Sequence, residues 1–356
     1  MEFKETIFLT GFPGFIAERL VERLAAPDRQ QLLLVQPSFT NASMEKIEGI
    51  SERTGVPLEN FALIEGDIAR HGLGMPGEDA ELVRETATHV FHLAAVYDLV
   101  VSMDVALAVN LEGTRNVNAF VKAMPDLKRY SYISTCYVAG KRTGRVLETE
   151  LEHSSGFRNF YEESKYLAES AVERLKTELP VTIFRPSVVV GDSNTGAIPK
   201  YDGIYYLIHY LRKAPSFLRL INVGNAEVKL NLVPVDFVVE GIAALAFDDE
   251  AEGKTIALAD PDPLTTREIF DVLAEKLAGK RSVIAPPPAL VDRSLMLSIS
   301  PPITGLPHSG VPYFFLAQTY DTTVAEPLLK KHGIACPSFR DYAGNLISFV
   351  DKHPEV

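Results

Sequence analysis

Tyr161 and Lys165 stand four residues apart in the run Phe160-Tyr161-Glu162-Glu163-Ser164-Lys165. On a helix that spacing puts a phenol and an ammonium on one face. A free tyrosine has a pKa of about 10 and handles protons poorly near neutrality, but a fixed cation beside it stabilises the phenolate and lowers that value. Such a phenol can exchange a proton with a carbonyl or an alcohol. Alone the pair is weak, since the same spacing also describes a solvated lysine beside a half-buried ring.

A second group has a different chemistry. Gly11-Phe12-Pro13-Gly14-Phe15-Ile16-Ala17 lies between a short apolar run, Thr6 to Thr10, and a stretch of helical period in which Ile16, Leu20, Val21 and Leu24 are apolar. Strand, glycine turn and helix in that order build a phosphate site. Glycine at 11 permits the tight turn, glycine at 14 admits a pyrophosphate to the backbone, and Ala17 lets the helix pack closely on a sheet. Pro13 has no amide hydrogen, so the neighbouring amides must cradle the phosphate. At the end of the second apolar run, an acid would favour NAD and a base NADP. Gln36 stands there and decides neither way; Arg19, Ser38 and Lys46 are within sequence reach of an extra phosphate, or are plain surface residues. Asp67, in Gly66-Asp67-Ile68, either faces an adenine amine or closes a turn.

These groups need a frame. Apolar runs at Leu32–Val35, Phe61–Ile64, Val90–Leu93, Tyr130–Ser134 and Val181–Phe184 alternate with helical stretches, the longest at 103–123 and 161–178. Strands alternating with helices predict an α/β fold, a doubly wound parallel sheet covered on both faces. After Pro186 the texture becomes richer in Pro, Gly and aromatic residues. We expect a dinucleotide-binding domain over 1–190, with 225–260 returning to the main sheet, and a smaller C-terminal substrate-binding lobe from 191–224 and 261–356. Leu232 to Asp236 reads as a strand entering a helix at 237–247.

Composition narrows the function classes. The 356 residues are 46% hydrophobic and 23% charged, enough for a large core, and a net charge of -12 disfavours nucleic acid or an anionic membrane as partner. Cys136 and Cys336 are too few for a disulfide framework, and no cluster of histidine, cysteine and carboxylate has metal-site spacing. The N-terminus lacks a signal-peptide pattern and no apolar run approaches the roughly 20 residues of a membrane span, so a cytoplasmic location is expected.

Thr10-Gly11-x-x-Gly14, Asp67, His92-Leu93-Ala94-Ala95, Asn110-Leu111-Glu112-Gly113-Thr114, Ser134-Thr135 and Tyr161-x-x-x-Lys165 occur in the order and spacing of the extended short-chain dehydrogenase/reductases, which the chain resembles over at least 5–240. The resemblance implies a Rossmann-type fold and an NAD(P)-dependent oxidoreductase. It makes Tyr161 the general acid/base, and Lys165 the cation that lowers its pKa and holds the nicotinamide ribose. Thr135 would offer its hydroxyl to the substrate oxygen, with Ser134 as the alternative, and Asn110 would organise a proton relay. Gly11, Phe12, Gly14, Phe15, Ile16, Gln36, Asp67 and Ile68 would contact the cofactor. Ala94 and Ala95 would line its crevice, with Pro186, Ser187 and Val188 beside the nicotinamide.

Gly14-Phe15-Ile16, Val96-Tyr97-Asp98, Ser134-Thr135-Cys136-Tyr137-Val138 and the segment from Arg185 to Gly196 look like the fatty acyl and thioester reductase (male-sterility-like) branch. The chain departs from that branch at Glu18 and Gln36, where basic residues are common. The likeness implies NADP, with NAD the alternative, and a small-molecule substrate such as an acyl thioester or lipid-like aldehyde. Ile204 to Leu211 and Leu295-Met296-Leu297-Ser298-Ile299 would then line a tunnel, or be buried helix faces. Competing expectations are a hydroxysteroid-like secondary-alcohol dehydrogenase, a nucleotide-sugar epimerase or dehydratase, and a dinucleotide sensor without chemistry. Relatives that pair through the two long helices imply a homodimer.

Overall fold

The computed structural model describes residues 3–213, 218–295 and 311–355. The strand β1 (Glu5–Thr10) leads into α1 (Phe15–Leu24), β2 (Arg29–Val35) into α2 (Thr40–Thr54), and β3 (Phe61–Glu65) into α3 (Gly77–Thr86). β4 (His89–His92) precedes a helical run made of α4 (Met103–Ala106), a π-helical stretch at Leu107–Glu112 and α5 (Gly113–Val121). β5 (Arg129–Ile133), the short β6 (Gly144–Val146), α6 (Phe160–Glu173), β7 (Val181–Pro186) and β8 (Val188–Val190) follow. Beyond them come α7 (Ile204–Lys213), β9 (Leu232–Pro234), α8 (Val235–Leu245), β10 (Thr255–Leu258), α9 (Thr266–Ala278) and α10 (Pro288–Leu295). The described chain finishes with β11 (Gln318–Tyr320), α11 (Ala325–Lys331) and α12 (Phe339–Lys352).

Seven strands form one parallel sheet in the order β10-β7-β5-β4-β1-β2-β3. Because side chains alternate along a strand, β1 sends Ile7 and Leu9 to one face and Phe8 to the other. On the first face Leu20 and Val21 of α1, Ile47 of α2 and Ile242 of α8 close over them; on the second, Val83 of α3, Val117 of α5 and Val172 of α6 do so. Both faces are dry. That is why the strands read as unbroken apolar runs instead of alternating ones. The order in which the chain adds strands reverses between β1 and β4, and the loops at the strands' carboxyl ends gather there, the usual ligand crevice of such sheets.

Two helical expectations change in detail. The stretch expected as one helix at 103–123 is interrupted by its π-helical turn, and α6 tightens into a 3-10 turn at Arg174–Thr177 before Pro180. The tyrosine-rich stretch, left open between a tunnel lining and a buried helix face, forms α7, whose Ile204, Tyr205, Ile208 and Leu211 are buried against α9 and α12. Met296 to Ile299, the other tunnel candidate, lie outside the described residues.

Candidate active site

Asn159 starts α6 by accepting the Glu162 amide at 3.0 Å, and Glu162 and Glu163 in the first turn complement the helix dipole. Ala168 and Val172 pin one face of the helix to the sheet. Tyr161 and Lys165 are thereby carried to the end of β5. Lys165 is buried, its ammonium donating to the Tyr132 hydroxyl and the Ile133 carbonyl, both at 2.9 Å, and lying 4.5 Å from the Tyr132 ring centroid.

The two hydroxyls left open by the sequence part company here. Adjacent residues of an extended chain point to opposite sides. The Thr135 hydroxyl stands on the side of the Tyr161 phenol, whose pKa it holds down, and accepts the Tyr137 amide at 3.2 Å, capping the 3-10 turn Cys136–Ala139. Ser134 points the other way and donates to the buried carboxylate of Glu169, which also receives Arg185.

The charges differ from the simple expectation that Lys165 lowers the pKa of Tyr161. Burial pushes the phenol up to about 12, the Thr135 hydrogen bond opposing and Glu162 adding to the rise. Lys165 itself is brought down to about 7 by burial, against the pull of Glu169. Burial is the largest effect on the phenol, so Tyr161 stays protonated across neutral pH.

Asn110 sits in the π-helical stretch, a kind of distortion frequent at functional sites. Its amide accepts the Val96 N–H at 2.8 Å and donates to the Val96 carbonyl at 3.0 Å and the Ser164 hydroxyl at 2.9 Å. With both N–H groups engaged, its side chain fastens the segment after Ala94 and Ala95 to α6 and has no donor left for a relay. His92 is a core residue, its Nδ1 2.7 Å from the Thr10 hydroxyl and its Nε2 3.0 Å from that of Thr114. Burial, and then Lys165, bring it down to about 3, so it is neutral.

The glycine loop is shaped as a cradle. Gly11 has φ +100°, and a Cβ there would lie 2.7 Å from the Ala94 amide nitrogen; a Cβ on Gly14 would lie 2.8 Å from the Gly11 carbonyl oxygen. No side chain caps the start of α1, so its first-turn amides face the loop unclaimed by a side chain, as a pyrophosphate requires. Phe12 is buried in the core beneath the loop, and Phe15 and Ile16 are half-buried in α1. Gln36 is exposed at the end of β2. Lys46 of α2 pairs with Glu18, its Nζ 3.5 Å from the Pro13 carbonyl oxygen, whereas Arg19 lies over the Phe15 ring and donates to the Ala197 carbonyl at 3.3 Å. Asp67 closes a turn by accepting the Ala69 amide at 2.9 Å, and Ile68 packs on Gly113. These residues fit a dinucleotide along the crevice.

Beyond β7, Pro186 ends the strand and Ser187 is tied to the Leu258 and Asn231 carbonyls at 3.1 and 2.9 Å. Val188 then faces a pocket lined also by Tyr137, Asn231, Tyr313 and Gln318. Tyr313 is the residue that no local pattern announced. Its hydroxyl donates to Glu162 at 2.6 Å and accepts Asn159 at 2.8 Å, while Arg158 binds Glu162 at 2.8 Å. Tyr132, Glu169 and Arg185 were missed as well. Of these only Glu169, one helical turn beyond Lys165, could have been flagged by spacing. Among the described residues no cluster could hold a metal ion, and no helix is long and apolar enough to cross a membrane.

A family model described as Male sterility protein, an NAD-binding family, matches residues 9–242. Fatty acyl-CoA reductase wat of Drosophila melanogaster is 25% identical over 278 residues, covering 68% of this chain and 54% of that protein. The chloroplastic fatty acyl-CoA reductase 2 of Arabidopsis thaliana is 28% identical over 158 residues, 39% of this chain and 26% of that one. The chain therefore spans about half the length of the first relative and about a quarter of the second. Among solved structures, the terminal R domain from the myxalamid PKS-NRPS biosynthetic pathway superposes with a TM-score of 0.82 at 23% identity, covering 99% of this chain and 92% of that domain. Yeast methylglyoxal/isovaleraldehyde reductase Gre2, complexed with NADPH, gives a TM-score of 0.68 at 17% identity, covering 99% and 100% of the two chains. These structures confirm the fold. With the family match spanning most of the chain, this protein belongs to the male sterility protein family of NAD-binding domains.

Proposed function

We propose that this chain reduces an acyl thioester to the aldehyde, using NADPH. The strongest support is the Thr135 hydroxyl paired with a Tyr161 phenol that burial keeps protonated, because reduction of a carbonyl needs an acid at its oxygen. When bound, the nicotinamide supplies a hydride to the carbonyl carbon. Tyr161 donates its proton to the oxygen as negative charge builds there, and Thr135 holds that oxygen with a second hydrogen bond. Lys165, fixed beneath them on Tyr132 and Ile133, supplies a positive field in its protonated form. The hydride and proton give a thiohemiacetal; its C–S bond then breaks, releasing a thiol and leaving the aldehyde. Two relatives named as fatty acyl-CoA reductases point to the same substrate class.

NADPH is favoured by Lys46, which lies against the phosphate loop, and by Gln36, which leaves the end of β2 without an acid for a free ribose. The test is a steady-state assay with NADPH and NADH against acyl-CoA, fatty aldehyde and hydroxysteroid panels, with aldehyde and free thiol measured together. One thiol released per NADPH consumed is expected with acyl-CoA. Oxidation of a secondary alcohol alone, or tight cofactor binding with no turnover on any panel, would overturn the proposal.

A further inference from the structure

Behind the candidate proton-handling pair lies a charge the reaction does not touch. Glu169 is fully buried one turn beyond Lys165. Arg185 of β7 clasps its Oε1 through Nε at 2.9 Å and Nη2 at 2.5 Å, and Ser134 donates to its Oε2. The remaining Arg185 nitrogen, Nη1, donates to the carbonyls of Glu148 and Glu150 at 3.2 and 3.1 Å. One carboxylate thus joins α6, the end of β5, β7 and the loop after β6.

Buried ion pairs are weak stabilisers, because desolvating both charges consumes most of their attraction. A role in stability alone is a poor account of this one. Its position suggests another. The groups facing Lys165 are Tyr161 and Glu169 from α6, Tyr132 from β5 and the neutral His92 from β4, with Arg185 of β7 beyond Glu169. Both hydrogen-bond acceptors of the ammonium are uncharged oxygens. Glu169, four residues on along α6 and as deeply buried, is a carboxylate that pulls the lysine's pKa up against burial.

We infer that Glu169, locked by Arg185 and Ser134, is a positioning residue that keeps Lys165 protonated beneath Tyr161. This rests on the reading of Tyr161 and Lys165 as the proton-handling pair. With the carboxylate present Lys165 stands at about 7, so loss of the carboxylate moves its deprotonation to acidic pH. The alkaline limb of kcat should then move to lower pH.

The test compares the wild type with Glu169→Gln and with Glu169→Gln/Arg185→Met, the second removing both buried charges so that no unpaired guanidinium remains. Lys165 is followed by NMR titration of 13Cε-labelled lysine, assigned with Lys165→Arg, a readout that needs no substrate. In Glu169→Gln the Lys165 titration should shift down by about one pH unit or more, with kcat about tenfold lower at pH 8 and largely recovered at pH 6; in the double variant the shift should keep its direction and be smaller, because a cation leaves with the carboxylate. KM should change little, and Glu169→Asp should restore part of the shift. An unmoved Lys165 titration, or a loss of kcat equal at every pH, would overturn the inference. If the lysine shifts but no panel substrate is turned over, the failure belongs to the proposed reaction and the positioning role stands.

Discussion

Replacing Thr135 by valine and, separately, Ser134 by alanine distinguishes two hydroxyls one residue apart. Valine keeps the branched shape of Thr135, which is 6% exposed, so packing survives the change. What goes is the hydroxyl beside the Tyr161 phenol and the acceptor for the Tyr137 amide 3.2 Å away. On the proposed mechanism the first loss removes an oxyanion donor, and kcat should fall by about 10²–10³, or about 2.7–4 kcal/mol of barrier. The second leaves an amide unpaired, with a stability loss of about 1–3 kcal/mol. Alanine at 134 acts elsewhere, taking one hydrogen bond from Glu169 while both Arg185 contacts remain. A bond to a charged group is worth about 1.5–3 kcal/mol, so Ser134→Ala should lower thermal stability while kcat changes only a few-fold. Single-turnover NADPH oxidation with an acyl-CoA substrate, set beside thermal melts, reads both axes. Should Ser134→Ala lose activity a hundredfold while Thr135→Val retains it, the assignment of the oxyanion donor is wrong.

The other expectations follow from the same coordinates. Gly11→Ala places a methyl 2.7 Å from the Ala94 nitrogen at φ +100°, so dinucleotide binding measured by fluorescence titration should weaken severely while the melting temperature drops only modestly. Lys46→Ala removes the cation beside Pro13; calorimetric titration should show binding of 2′,5′-ADP weakened by about tenfold and 5′-AMP unaffected, and equal effects on both would remove Lys46 from cofactor choice. Asp248, held by His332 and Lys331, is lowered from 3.8 to about 2. Its stabilisation is present above the unfolded value and is lost as pH falls through the folded one. The wild type should therefore lose melting temperature between about pH 4 and pH 2 more steeply than Asp248→Asn, in scans at matched ionic strength.

The sheet was legible because dry strands on both faces leave unbroken apolar runs, as Leu32 to Val35 do. The proximity of Tyr161 and Lys165 was legible because one helical turn sets it. Partners across elements were not. Lys165 spends its donors on β5, and Tyr313 reaches Glu162 from 151 residues away, contacts that only the folded topology creates. The direction of the Tyr161 shift was missed for a related reason. Spacing reports a neighbouring charge but not the depth of burial, and here burial is the larger effect. Ser134 and Thr135 could not be separated by residue type, because a step of one along extended backbone reverses the side chain's direction.

The contact of Tyr313 with Glu162 bears on how this enzyme can be re-engineered. The phenol arrives from the segment just before β11, yet it completes the first turn of the helix that carries Tyr161. A chimera that grafts a relative's C-terminal half to change substrate range would also exchange this hydroxyl. A graft without it would leave Arg158, among the described residues, as the one side chain bonded to a fully buried carboxylate adjoining Tyr161. On the proposed reading, a graft that changes the C-terminal half also changes the support of the helix carrying Tyr161, and the two halves are not interchangeable modules.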